Sequence, residues 1–503
     1  MSGGGAAISN TFQAVSSGRA VAAIAIGLGV LVIGAAYLST AAFLIAGFAL
    51  LGLLGLASVR WPRVMLIVVV LSPALVDLYA GERLLPEEVR SVSRFFSEAL
   101  LVLMTLALAW VGARRGTLVT ALRHPFTVAM AVFGAISVAS AIVNAVPPAV
   151  AVAGLLFTLD AAILFYLPRM VGYSHEDAQR AMWAIAGVVA LASVLAIGQA
   201  VLSPDLLGLT PVTGVSGEGV RVGSLVSDPN ILGTLIGMAL PLTVFSLVRT
   251  PWRSRGWRIT FAIAFVLALA LLLTYSRGSW IGVAVGFGTV ALIIDRRALV
   301  AFVVVVVLAY ATAVVMPKGV LSGGSQGFDP YATTINRIQA VGEKRDLRAL
   351  FVLNAMPIID EHLLLGVGPG RYGGAAASVF GSPIHERFGT SELLTEQRTV
   401  DIFWLHLAVE TGALGVAAFA AMIGTALVTP VRALRRAGGS RFNVPASVVS
   451  ATAVVCVTAF TTMLLEGNTA AFMFWFLLGI GSLAEPAEAR TGDPAGVATA
   501  SAG

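Results

Sequence analysis

The sequence predicts an all-α integral membrane protein with about 12 to 14 transmembrane helices and one long polar loop. Three observations carry this. The chain of 503 residues is 58% hydrophobic and only 12% charged, with a mean hydropathy of +0.91, outside the range of soluble globular proteins. Apolar runs long enough to cross a bilayer as a helix recur along nearly the whole length. The alternation of a β-barrel is missing, and backbone groups in lipid must pair within their own segment, which leaves helices.

In chain order the spans fall at 20–38, 40–58, 64–80, 95–112, 125–146, 149–168, 181–202, 230–248, 259–274, 279–294, 298–316, 401–428, 446–465 and 468–484. Residues 1–19 are polar and small, without a charged segment leading into a short apolar core and cleavage site. The first apolar run therefore reads as a retained span. Tight turns at 38–40, 146–149 and 465–468 join neighbouring spans. The single cysteine, Cys456, excludes an intramolecular disulfide and a Cys-rich metal site.

Strict alternation gives each loop a side. Loops on the N-terminal side hold 19 of the 32 Lys and Arg residues, among them Arg60, Arg114, Arg115, Arg255 and Arg435. Of the other 13, eight lie in the one long loop, which the positive-inside rule discounts. Both termini are therefore expected in the cytoplasm, in a plasma (inner) membrane protein. The parts are a tail over 1–19, eleven helices over 20–316, an extracytoplasmic loop subdomain over 317–400, three helices over 401–484 and a tail over 485–503. The net charge of +6 records this orientation and is not a nucleic-acid signal.

Two arginines then fall on the outer face with the long loop. Arg221 stands in RVGSLVSDPN and Arg277 in TYSRGSW. Asp228 followed by Pro229 is a helix start, with Asp228 as cap and Pro229 in the first turn. A guanidinium beside the N–H groups of a helix N-terminus suits a phosphate. A snorkelling interface anchor is the plainer role for Arg277 alone. In the long loop, 336–359 reads as a helix carrying Arg337, Lys344, Arg345 and Arg348, either as further cations for an anion or as a solvated face. GVGPGRYGG lacks the Lys-Ser/Thr and the strand–helix frame of a nucleotide loop, so it reads as a turn shaping the loop. Asp160, Glu410, His406 and Glu466 lie at or within spans, where ionisable groups are functional candidates or paired packing contacts. No His, Cys or carboxylate pair has metal-ligand spacing, and neither a metal nor another cofactor is inferred.

The chain resembles the O-antigen ligase and polymerase-like family of membrane glycosyltransferases. The residues that carry this are Arg221 with SDPN opening a helix, TYSRG around Arg277, the loop from Arg348 to Tyr372, and ETGALG from Glu410. The resemblance covers roughly 210–420. It implies a GT-C-like fold that needs no metal. It implies transfer of a glycan from a polyprenyl-diphosphate carrier to a lipid, glycan or protein acceptor, with Arg221 and Arg277 on the diphosphate. Family members carry His-Asn nine residues before the position of Glu410; here that place is Asp401-Ile402. The candidates for the general base are accordingly Asp401, His385 and His362, with His406 deeper in the span.

Physical chemistry supports the same picture. A departing diphosphate gathers negative charge that bidentate arginines can hold, and a carboxylate or imidazole can take the acceptor's proton. The competing class is a transporter or flippase of lipid-linked saccharides, which favours inverted repeats and interrupted helices meeting at the midplane. A non-catalytic scaffold leaves the arginines unexplained.

Overall fold

A computed structural model describes residues 29–80, 84–93, 95–203, 206, 212–213, 220–226, 228–293, 296–315, 347–387, 400–436, 443–466 and 468–483. The helices in these stretches follow the apolar runs, and their ends follow local chemistry. Ser174 caps His175–Val201 in a capping box with Asp177. Asp228 accepts hydrogen bonds from the N–H groups of Asn230 and Ile231, with Pro229 in the first turn, as the sequence implies. Ser254 caps Arg255–Leu273 in the same way. Eight described helices are long and apolar enough to cross a membrane, by length and composition. The chain is thus an all-α, multi-pass membrane protein. Of the expected first span, only 29–38 are described.

Pro229–Arg249 is the central helix. It is 89% buried over its apolar window, against 22–50% for the other seven. Around it pack His175–Val201, Arg255–Leu273, Arg277–Ile293 and Asn443–Thr458. The closest pair, Arg277–Ile293 with Asn443–Thr458, meets through small residues. A Cβ at Gly286 would lie 2.7 Å from the Ser450 carbonyl oxygen, and one at Gly282 2.9 Å from that of Val454. In lipid, such close approach substitutes for a hydrophobic driving force.

Three spans depart from regular helix. The expected 64–80 is the helix Pro62–Ser72 continued by a π-helical turn, Pro73–Ala80. The expected 149–168 is Pro148–Leu159, a 3₁₀ stretch Asp160–Phe165 and a short helix Leu167–Val171. The switch falls at Asp160, whose carboxylate accepts from the Ala161 N–H at 2.5 Å. The loop ahead of Asp228 contains a small antiparallel pair, Val212–Thr213 with Val220–Arg221.

The third departure matters most. Phe403–Arg436 is broken at Gly412, whose φ of 65° and ψ of −172° lie outside the helical region. The broken turn frees backbone groups, and the long loop closes them. The N–H groups of Ala413 and Leu414 donate to the carbonyls of Leu363 and Leu364, at 2.8 and 3.2 Å. The carbonyls of Val409 and Glu410 accept from the N–H groups of Val367 and Gly368, both at 2.9 Å. This satisfies the rule that irregular backbone at membrane depth must be buried in protein. Counting from Phe403, residues 409–414 lie roughly 10–15 Å along the helix. The stretch from Leu363 to Gly374 is therefore inserted against the bundle. It also rests on Asn144, whose side-chain amide donates to the Gly366 carbonyl at 2.9 Å.

A Cβ at residue 412 would sit 2.4 Å from the Leu364 carbonyl carbon, at a backbone conformation that L side chains rarely adopt. Gly412→Ala is expected to cost on the order of 3 kcal/mol or more, combining strain with a backbone clash. The check is a lowered thermal midpoint of the purified protein in detergent, with Gly424→Ala as the control, since nothing lies within 4 Å of a Cβ there.

Of the helix expected over 336–359, residues 347–359 are described, and they belong to the helix Leu347–Glu361. Arg337, Lys344 and Arg345 lie outside the described residues.

Candidate functional site

Arg221 ends the second short strand, paired opposite Val212. Its side chain turns into the bundle and is only 9% exposed. Nε donates to the Thr274 carbonyl at 3.0 Å, and Nη2 donates to Asn230 Oδ1 at 2.8 Å. The guanidinium thus ties two structures together: the N-terminal turn of Pro229–Arg249, capped by Asp228, and the turn between Arg255–Leu273 and Arg277–Ile293. That second turn is tight. Tyr275 has a φ of 51°, the Ser276 N–H donates to Thr274 Oγ1 at 3.2 Å, and the hydroxyls of Ser276 and Ser279 are 2.9 Å apart. Arg277 is half-buried and is the first residue of its helix. The two arginines singled out from the sequence are therefore held by one connected structure.

Asp401 occupies the bend before Phe403. The bend is pinned on both sides: the Val400 N–H donates to the Gly373 carbonyl at 2.8 Å, and the Phe403 N–H to that of Ala459 at 3.0 Å. Arg348, in the first turn of Leu347–Glu361, places Nη2 3.4 Å from Asp401 Oδ2. Both side chains are about one-third exposed, 29% and 32%. Burial pushes the Asp401 carboxyl above the usual carboxylate range, and the Arg348 guanidinium pulls it back. The Asp228 carboxylate and the Arg221 guanidinium also act on it electrostatically. Asp401 thus contacts Arg348 and feels the charges of Arg221 and Asp228, groups drawn from three parts of the chain.

The two loop histidines stand differently. His385 is buried in the short helix Pro383–Arg387, with its ring 5.4 Å from that of Tyr372. Burial lowers its pKa to about 4, which makes it a neutral and weak base. His362 follows the end of Leu347–Glu361, with Nε2 4.0 Å from Glu361 Oε2. Among the described residues, no group of three or more His, Cys, Asp or Glu is arranged to hold a metal ion.

GVGPGRYGG is the seat of this architecture. Its glycines at 366, 368, 370 and 373 all have positive φ. A Cβ at Gly370 would lie 2.6 Å from the Val150 carbonyl, and one at Gly366 2.4 Å from the backbone of Glu410. The motif packs backbone against backbone, so its glycine content records close approach to the bundle. Its arginine, Arg371, donates to the carbonyls of Asn144 and Val367, at 3.2 and 3.5 Å.

An apolar crevice opens near the Asp228 end of Pro229–Arg249. It is lined by Val70 and Leu75, by Val189, by Leu225 and Val226, by Leu232 and by Met473. Of the lining residues, Leu75 is 39% exposed and Leu232 is fully buried. The π-helical turn supplies Leu75, and the buried turn Ser224–Val226 supplies the inner wall. That turn is fixed by the Ser224 hydroxyl donating to the Ala192 carbonyl at 2.7 Å, and by its N–H donating to Gln199 Oε1 at 2.9 Å. The sequence reading missed this crevice, because a cleft between five segments leaves no periodic signal in any one of them.

Residues 262–420 match a family model described as O-antigen ligase. The matched stretch includes Arg277, Arg348, His362, His385, Asp401 and Glu410; Arg221 precedes it. A comparison with curated proteins found no match. That segment is similar to O-antigen ligases, and long apolar helices set it in a multi-pass membrane protein.

Proposed function

We propose that this chain is a membrane glycosyltransferase that moves a glycan from a polyprenyl-diphosphate carrier to an extracytoplasmic lipid, glycan or protein acceptor. One observation carries the reading. Arg221 is fixed between Asn230 and the turn that leads into Arg277, within electrostatic reach of the Asp401–Arg348 pair. On this reading, the cations that hold a leaving diphosphate are grouped with the carboxylate that accepts a proton. Arg345 belongs to the same reading as a further cation of the loop.

The acceptor hydroxyl oxygen attacks the anomeric carbon while the bond from that carbon to the phosphate oxygen breaks. The bonding pair leaves with the diphosphate, where Arg221, Arg277 and Arg348 hold the growing charge through planar, paired N–H contacts. The arginines supply charge that a metal ion supplies in other phosphate sites. Asp401 takes the proton, and burial helps by raising its affinity for it. A GT-C-like fold is part of the same reading.

A transporter draws some support from the interrupted helix at Gly412. Its freed backbone groups are, however, already bonded to the loop, whereas a transporter directs such groups at a substrate.

The reading requires the site to face away from the cytoplasm. Reporter fusions at Arg255 and Arg435 should report a cytoplasmic position, and a fusion at Ser382 an exported one. A cytoplasmic signal at Ser382 would place the arginines on the wrong side for an extracytoplasmic acceptor and overturn the proposal.

A further inference from the structure

The transfer described above leaves three buried ionisable side chains without a role. His406, Glu410 and Glu466 are 1%, 2% and 8% exposed. Such groups are costly inside a membrane protein unless each is paired. Here the pairing is specific. Glu410 accepts from two backbone N–H groups of the inserted loop, Gly370 at Oε2 and Tyr372 at Oε1, both at 2.7 Å. Nδ1 of His406 lies 2.5 Å from the Tyr372 carbonyl. A carbonyl only accepts, so that nitrogen carries the proton. Nε2 of the ring then faces Glu410 Oε2 and Glu466 Oε1, each at 3.6 Å. Glu466 in turn accepts from the Ala375 N–H at 3.1 Å. There is no slack between these groups: a Cβ at Gly374 would lie 2.5 Å from His406 Cε1 and 2.6 Å from both Glu466 oxygens.

The peptide units on either side of Tyr372 are therefore gripped, the N–H by Glu410 and the C=O by His406. The next carbonyl, that of Gly373, accepts from the Val400 N–H at 2.8 Å. Val400 is fully buried and directly precedes Asp401. Gly373 has a φ of 63°, and a Cβ there would lie 2.2 Å from a methyl of Val400. A continuous path of short bonds runs from the buried carboxylate of Glu410, through the backbone of Tyr372 and Gly373, to the bend that carries Asp401.

We propose that Glu410, with His406 and Glu466, is a positioning element for Asp401. This rests on the reading of Asp401 as the base. The cluster locks the inserted loop, and the loop sets the carboxylate of Asp401 opposite Arg348. A base displaced by about 1 Å loses much of its effect, because proton transfer needs hydrogen-bond reach. Glu410→Gln keeps the shape but turns an NH₂ group towards one of the two backbone donors, so the grip on the loop is half lost.

The test uses the full-length protein with a polyprenyl-diphosphate oligosaccharide and an acceptor. Glu410→Gln is expected to lower kcat about tenfold or more, with KM for the donor within twofold of wild type, since Arg221 and Arg277 do not depend on the loop. Combined with Asp401→Asn, whose residual rate is read over long incubations, it should add little, because both changes remove one function. A loss confined to KM, full additivity with Asp401→Asn, or a folded Glu410→Gln with wild-type kcat would each overturn the proposal. If Glu410→Gln does not fold, Glu466→Gln loosens the same cluster from its far side. It should show the same signature at smaller size, and wild-type kcat there counts equally against the proposal. A dead Asp401→Asn beside a normal Glu410→Gln defeats only the positioning role. A fully active Asp401→Asn defeats the base assignment itself.

Discussion

Asp401→Asn should abolish turnover, by roughly a hundredfold or more, while leaving binding of the carrier lipid nearly intact. The amide fills the same space but cannot accept the proton. Three features favour Asp401 over the histidines. It lies against Arg348 and within reach of Arg221, so it stands with the cations that would hold the leaving group. Its bend is pinned at Val400 and Phe403, which fixes the carboxylate. Burial raises its proton affinity, whereas burial makes His385 a weak base, with a pKa near 4. The direction of the Asp401 shift sets a pH signature. The ionised form is the active one, so the rate should fall as pH drops through a value above the ordinary carboxylate pKa. Should Asp401→Asn keep partial activity while His385→Ala or His362→Ala is the more damaging change, a histidine is the base and Asp401 orients it. A fully active Asp401→Asn protein would remove the role outright.

Arg221→Lys and Arg277→Lys should each slow transfer about tenfold or more, or about 1.4 kcal/mol, the lower range for a charge-assisted contact. The charge survives, but the planar fork does not. For Arg221 the fork also has an internal duty, since Nε and Nη2 bond Thr274 and Asn230 at once. An ammonium on a flexible stem cannot hold both and still face a phosphate. Carrier binding should weaken together with the rate, in contrast to Asp401→Asn. Normal activity in both lysine variants would leave these residues as interface anchors.

How far the sequence speaks for this molecule differs from element to element. The helices were legible because lipid allows few alternatives, and the described helices from Thr40 onward begin or end within a few residues of most apolar runs. The cap at Asp228 was legible from two residues. The break at Gly412 was not: ETGALG reads as continuous helix, and only the carbonyls of Leu363 and Leu364, about fifty residues earlier, make the kink affordable. For the same reason GVGPGRYGG was readable as a turn but not as an inserted one. Its glycines answer to Val150, Val400 and Glu410, partners no local pattern names. Arg221 and Arg277 were singled out by the face they share, yet their common anchor at the Thr274–Arg277 turn is a tertiary fact. Glu410 stood in the sequence as either a packing contact or a functional group. The geometry gives it two backbone donors from the loop, so the packing it makes is what connects it to Asp401.

The most direct test is chemical and needs no membrane. The purified protein in detergent is incubated with a polyprenyl-diphosphate oligosaccharide and a candidate hydroxyl acceptor, and the lipid products are separated. Release of free polyprenyl diphosphate with matching formation of a new glycoconjugate, lost in Asp401→Asn and reduced in Arg221→Lys and Arg277→Lys, is the expected result. A donor that stays intact across lipid, glycan and protein acceptors, while the same protein in vesicles moves it from one leaflet to the other, would contradict the account and make the chain a carrier of lipid-linked saccharides.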